Sequence, residues 1–173
     1  MKNIGIQLIG FCGTLLFFSS YQCKDNKKLF RVQFYSYLVY TLHLILLGAV
    51  TGGVSYIINT LRSFCLGSKW KFAKSWGMCA ALCLMQLAAL ALTWAGWISL
   101  LPVVANIAAT IAGYTRNGRT IRLAGMFINS PLWMIYSLMS GSMAGVLDEV
   151  VTEVSMIVSI VRFGWKNLDK VEE

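Results

Sequence analysis

Apolar residues run through this chain in long uninterrupted blocks, and the block lengths match helices that cross a bilayer. Ile4 to Gln22 is uncharged for 19 residues, enough for one crossing at about 1.5 Å per residue. Val32 to Leu61 offers 30 uncharged residues, which is tight for two. Gly48, Gly52 and Gly53 mark a turn there, the second helix must run on to about Cys65, and one long helix is the competing reading. Ser75 to Thr115 is uncharged for 41 residues, two spans with a turn at Gly96 to Pro102; a proline is tolerated in the first turn of the following helix. Leu123 to Val161 forms a last hairpin, broken at Ser140 to Ser142. The predicted fold is all-α, a polytopic membrane protein of about seven transmembrane helices.

Charge gives these helices a direction. Basic clusters fall at Lys24, Lys27, Lys28 and Arg31, at Arg62, Lys69, Lys71 and Lys74, at Arg116, Arg119 and Arg122, and at Arg162, Lys166 and Lys170. The positive-inside rule puts all four in the cytoplasm, the N-terminus outside and the C-terminus inside. Trp94 and Trp97 then lie near an outer boundary, and Trp70, Trp76 and Trp165 near inner ones, as interfacial anchors. The start, Lys2 and an apolar run, resembles a signal peptide but lacks a small-residue cleavage site, and it reads as a retained helix.

Composition agrees: 57% hydrophobic and 13% charged residues describe an integral membrane protein. The net charge of +8 is divided among short clusters, so the expected partner is the lipid bilayer and not nucleic acid. Cys12, Cys23, Cys65, Cys79 and Cys83 are odd in number and scattered, which points to helix packing; no metal or cofactor is expected. No Ser/His/Asp order and no Gly-rich phosphate loop occurs, so no enzyme is expected. His43 is read as a proton relay or an internal hydrogen-bonding residue.

The two ends of the chain correspond. Tyr21 matches Tyr114, Arg31 matches Arg122, Gly48 matches Gly141 and Gly52 matches Gly145, at offsets of 93, 91, 93 and 93. A three-helix unit duplicated directly would flip, so an extra crossing, Trp76 to Trp94, is needed to keep both copies parallel. The plan is three plus one plus three: residues 1–66, a linker helix over 67–98, residues 99–166 and a cytoplasmic tail over 167–173. Parallel repeats commonly enclose a substrate site near the midplane.

The last span conflicts with its own environment. Met139 to Phe163 is apolar yet carries Asp148, Glu149 and Glu153, and a carboxylate at the bilayer centre marks function unless it is paired. Glu149 lies roughly 10 Å and Glu153 roughly 16 Å inward of Ser142, while Asp148 reads as interfacial. Glu153 either lines a cavity or is paired with a neighbouring helix. Asn59 falls opposite Thr152 at the repeat offset, so the two third helices present an amide and a carboxyl to one cavity, or bond each other. Pro131, next to Asn129, breaks the sixth span and frees a backbone carbonyl.

Several segments together resemble one family. They are Gly10-Phe11 through Tyr21-Gln22, Arg31-x-Gln33, His43-x4-Gly48, Asn59-x2-Arg62, Leu101-Pro102-Val103, Gly118-x3-Arg122, Trp133, Gly141-Ser142-x2-Gly145-x3-Glu149 and Ile160-x-Arg162-Phe163. The combination resembles the bacterial inner-membrane YgjV family, which implies a multi-pass protein of the inner membrane. The layout is in turn similar to SWEET and PQ-loop transporters, which implies facilitated movement of small polar solutes. The chain lacks their Pro-Gln pair and any proline in its first two spans, so a sugar substrate is not carried over.

The expectation is a permease for an unidentified small polar solute. Asn59, Asn129, Thr152 and Glu153 line its cavity, with Glu149 and Pro131 at the gate and outer mouth. The competing expectation is a non-transporting scaffold or assembly protein whose acids pair internally. A homo-oligomer is compatible with both.

Overall fold

The computed structural model describes residues 4–169, and among them every regular element is helical. Lys2, Lys170 and the end of the tail lie outside the described residues. The helices are α1 (Ile4–Tyr21), α2 (Asn26–Leu47), α3 (Val50–Gly67), α4 (Trp76–Leu92), α5 (Leu100–Tyr114), α6 (Gly118–Ala124), α7 (Ser130–Ser140) and α8 (Met143–Phe163). A π-helical turn over Gly125–Asn129 fuses α6 and α7, so the eight segments make seven rods.

Local chemistry sets the ends. The Asp25 carboxylate accepts the Lys27 N–H at 2.6 Å at the start of α2, and the Asn117 side-chain oxygen Oδ1 accepts the Arg119 and Thr120 N–H groups at the start of α6. The 30-residue ambiguity resolves as two helices, because Gly48 ends α2 at φ 81°, and Gly141 ends α7 in the same way at φ 71°. A side chain is disfavoured in that left-handed region, so glycine is the residue that closes both helices. Pro131 stands in the first turn of α7, where its missing N–H would break the ladder of a continuous helix. The π turn just before it is where the rod absorbs the break.

Among the described residues two helical stretches are by themselves long and apolar enough to cross a membrane, Ile4–Tyr21 and Trp97–Tyr114, and Trp76–Leu92 is apolar but shorter. The remaining long helices fall short because each carries a polar stripe. In α3 the stripe is Ser55, Asn59, Arg62 and Ser63, and in α8 it is Asp148, Glu149, Thr152, Ser155 and Ser159; both are buried. Spacings of three and four keep each stripe on one face.

Packing explains where those faces go. α1 packs on α2, α2 on α3, α3 on α5, α5 on α7, α7 on α8, and α8 on α1, which closes a ring; α4 lies outside it against α3 and α5. Large aliphatic side chains such as Leu42, Ile45, Ile57, Val154, Ile157 and Val161 are exposed on the outer surface. Small residues let the rods approach: a Cβ on Gly13 would stand 2.7 Å from the Tyr40 ring, and one on Gly52 would stand 2.6 Å from the Tyr136 ring.

Candidate functional site

The buried stripes converge on an aromatic column. Tyr21 touches Phe17 at 5.7 Å between ring centroids, Phe17 touches Tyr37 at 5.2 Å, and Tyr37 touches Tyr56 at 5.2 Å. Tyr56 meets Trp133 at 4.5 Å, Trp133 meets Tyr136 at 5.4 Å, and Tyr40 joins from the side at 5.5 Å from Tyr56. Tilted and edge-on pairs like these add about 0.5–1.5 kcal/mol each beyond their buried area.

Charged groups are set into this column. Asp148 and Glu149 are only 3% and 5% exposed. The hydroxyls of Tyr40 and Thr14, 2.6 Å from each other, face the Asp148 carboxyl, and the Ser130 hydroxyl faces Glu149. Asp148 Oδ1 has no hydrogen-bond partner. Arg62, 3% exposed, donates from Nη2 to the Tyr37 hydroxyl at 2.9 Å, while its Nε and Nη1 are unpartnered. Tyr37 is within electrostatic reach of Arg62 and of both carboxyls. Around the same axis Asn59 Nδ2 donates to Asn106 Oδ1 at 2.8 Å, and Trp133 Nε1 donates to the same oxygen at 3.1 Å. Asn59 Oδ1, Asn106 Nδ2 and Thr152 Oγ1 are left without partners. Buried polar atoms are ordinarily bonded, so a group of unpartnered ones on a single axis marks a candidate site.

A cavity of about 20 Å³ adjoins Arg62 and Tyr37, with Gln33 and Asn129 also in its wall. It has room for about one water.

The expected site residues divide. Asn59 and Thr152 are buried on the axis, and Asn129 lines the small cavity and donates to the Ala105 carbonyl at 3.0 Å. Glu149 is buried beside Ser130, well inside the ring. Glu153 lies half-buried on α8, off the buried stripe, and Pro131 is exposed. Asp148, expected at the interface, is instead among the most enclosed acids. The direction of its side chain decides this, and depth along the helix does not. Sequence reasoning also missed Arg62 and Arg122, which it assigned to loop clusters, and Asn106, Tyr37, Tyr40 and Trp133. One signal was available: Asn59, Arg62 and Ser63 continue the Ser55 stripe at helical spacing.

The ring is tied at one end by neutral groups. His43 Nδ1 lies 2.8 Å from the Ile6 carbonyl, so it carries the proton; Nε2, 2.8 Å from Ser142, then accepts from that hydroxyl. Ser142 in turn accepts the Gly145 N–H as the cap of α8. Tyr136 accepts the Gly52 N–H at 2.9 Å.

The other end is basic. The Asn26 side chain donates to the Arg116 carbonyl, Arg31 Nε donates to the Gly67 carbonyl at 3.2 Å, and Arg119 Nε donates to the Trp165 carbonyl at 2.7 Å. Burial first, and then the nearby Lys27 and Arg116 charges, hold the Lys74 ammonium below its ordinary range. Among the described residues no cluster of three His, Cys, Asp or Glu side chains is arranged for a metal.

A family model described as a bacterial inner membrane protein matches residues 4–167. No curated protein and no solved structure matches the chain.

Proposed function

The chain belongs to the Imp-YgjV family of bacterial inner membrane proteins, and from that premise we propose that it crosses the membrane seven times and carries a small polar solute along the axis of its ring. The reading gives it the bilayer as its surroundings and no catalysis, metal or cofactor. What supports seven crossings is the inversion of surface and interior. The exposed shell is Leu, Ile and Val, while Gln33, Asn59, Arg62, Asp148 and Glu149 are inside; a water-soluble protein has the opposite distribution. The gathering of Lys27, Arg31, Lys74 and Arg116 at one end supports a cytoplasmic face there, hence an outer N-terminus and an inner C-terminus.

The parallel three-plus-one-plus-three plan has independent support. Tyr21 and Tyr114 end α1 and α5, Asn26 and Gly118 begin α2 and α6, and Val50 and Met143 begin α3 and α8, all within a residue of one offset. The ties across the ring correspond too. His43 of α2 reaches the cap of α8, and Tyr136 of α7, one repeat later, reaches the first turn of α3. Each half thus fastens the other through the same position. The proposed division is a unit over 1–66, a linker helix over 67–98, a unit over 99–166 and a tail over 167–173.

The observation that carries transport is the set of unpartnered polar atoms on the axis, from Asp148 and Thr152 to Asn59, Asn106 and Arg62. Asn129 stands at the small cavity beside them, Glu149 is buried within the column, and the exposed Pro131 opens α7. The half-buried Glu153 belongs at the edge of a path that opens when one unit rocks against the other. A scaffold is the second reading, favoured by the filled axis and its cavity of only about 20 Å³.

Cysteine scanning separates the two. With Cys12, Cys23, Cys65, Cys79 and Cys83 replaced, Asn59→Cys and Thr152→Cys are expected to react with a membrane-impermeant thiol reagent applied from one side, while the lipid-facing Val154→Cys does not. Complete protection of both axial positions from either side, with the exposed Lys69→Cys labelled, would overturn transport in favour of the scaffold.

A further inference from the structure

At the basic end, outside the axis, a groove runs between the first turns of α2 and the last turns of α3. It encloses about 370 Å³ and is lined by Arg31, Phe34, Tyr35, Ser63, Phe64, Gly67 and Ser68. Its two walls differ. Along the outside run aromatic rings, Phe34 6.0 Å from Phe64 and Phe64 6.0 Å from Trp70; Tyr35, Phe64 and Trp70 are all exposed. At the basic end stands the exposed Arg31, anchored through Nε to the Gly67 carbonyl. A Cβ on Gly67 would come within 3.1 Å of Arg31 Cγ, so the glycine admits the arginine to this position. Ser63, whose hydroxyl is buried and unpartnered, is at the floor.

We propose that this groove is a binding site for an anionic phospholipid, whose phosphate lies on the Arg31 guanidinium and whose acyl chain lies along Phe34 and Phe64. The charge around it fits: Lys27 is one turn away on α2, Lys69 and Lys71 are exposed just beyond α3, and Lys74 adjoins Lys27 and Arg116. Among the groups that act on Lys74, the Asp25 carboxylate has a smaller effect than Lys27 or Arg116. A planar guanidinium is suited to phosphate. The exposed aromatic wall favours a lipid over a free anion, because it offers apolar surface where a free anion has nothing to bury. The proposal stands whether or not the axis transports.

Native mass spectrometry of the delipidated full chain in detergent tests it. With phosphatidylglycerol added, the wild type is expected to retain lipid about tenfold better than with phosphatidylcholine, because the choline cation cancels the phosphate charge and is repelled by the basic residues around the groove. Arg31→Gln is expected to lose that preference, and Lys166→Gln, a basic residue elsewhere on the surface, to keep it. Tyr35→Glu puts a negative charge on an exposed rim position and is expected to abolish retention; it decides the matter if Arg31→Gln fails to fold. Equal retention of the two lipids, retained preference in both groove variants, or full displacement by millimolar inorganic phosphate would each overturn the proposal.

Discussion

Two arginines are buried in this bundle, and their surroundings differ. Arg122 is fully enclosed and every nitrogen is used: Nε donates to Ser159, Nη1 to the Gly118 carbonyl at 3.2 Å and Nη2 to the Tyr21 carbonyl at 3.3 Å. It ties α6, α8 and the end of α1 together. Arg62 is almost as enclosed but makes one hydrogen bond, to Tyr37, and keeps two nitrogens unpartnered. A satisfied buried cation works as a structural joint. One left with open donors beside a tyrosine hydroxyl and a small cavity has bonding capacity that the resting fold does not use.

The largest test of that contrast is Arg122→Met, expected to lower stability by about 3–5 kcal/mol because three carbonyl and hydroxyl contacts across helices vanish together. Denaturant titration in micelles, followed by tryptophan fluorescence, measures it. Ser159→Ala should cost about 1–3 kcal/mol by the same titration, since it strands a charged donor in the interior. Arg62→Met is expected to cost the least, about 1 kcal/mol, because the apolar replacement removes two unpartnered donors along with one bond. A loss for Arg62→Met equal to that for Arg122→Met would erase the distinction, and Arg62 would then be a second joint.

Arg122 was not legible as buried, and Arg62 only through its place on the Ser55 stripe. In the sequence both stand near the ends of apolar blocks, where a positive residue ordinarily reports a cytoplasmic loop. Only the fold shows them turned inward, Arg62 onto Tyr37 and Arg122 onto Ser159 and Tyr21. Helix limits were more accessible, because their causes are local. Gly48 and Gly141 close helices through their own backbone freedom, and Pro102 opens one. The polar stripe of α8 was visible as spacing, but its partners were not. Whether Asp148 or Glu153 points at the axis depends on which helices close the ring on that side, and spacing within one helix does not determine that. Asn106 shows the same limit: it is one amide in a long apolar block until Asn59 and Trp133 meet it from two other helices.

The two ends of the ring are held by different forces, and dissolved salt acts on only one of them. Hydrogen bonds between uncharged groups, His43 to Ser142 and Tyr136 to Gly52, keep their strength as ionic strength changes. The opposite end crowds Lys27, Arg31, Lys74 and Arg116 together, and such repulsion is cut sharply once the Debye length falls to about 10 Å near 0.1 M salt. Lowering the salt is therefore expected to weaken the basic end and to leave the His43 and Tyr136 ties unchanged.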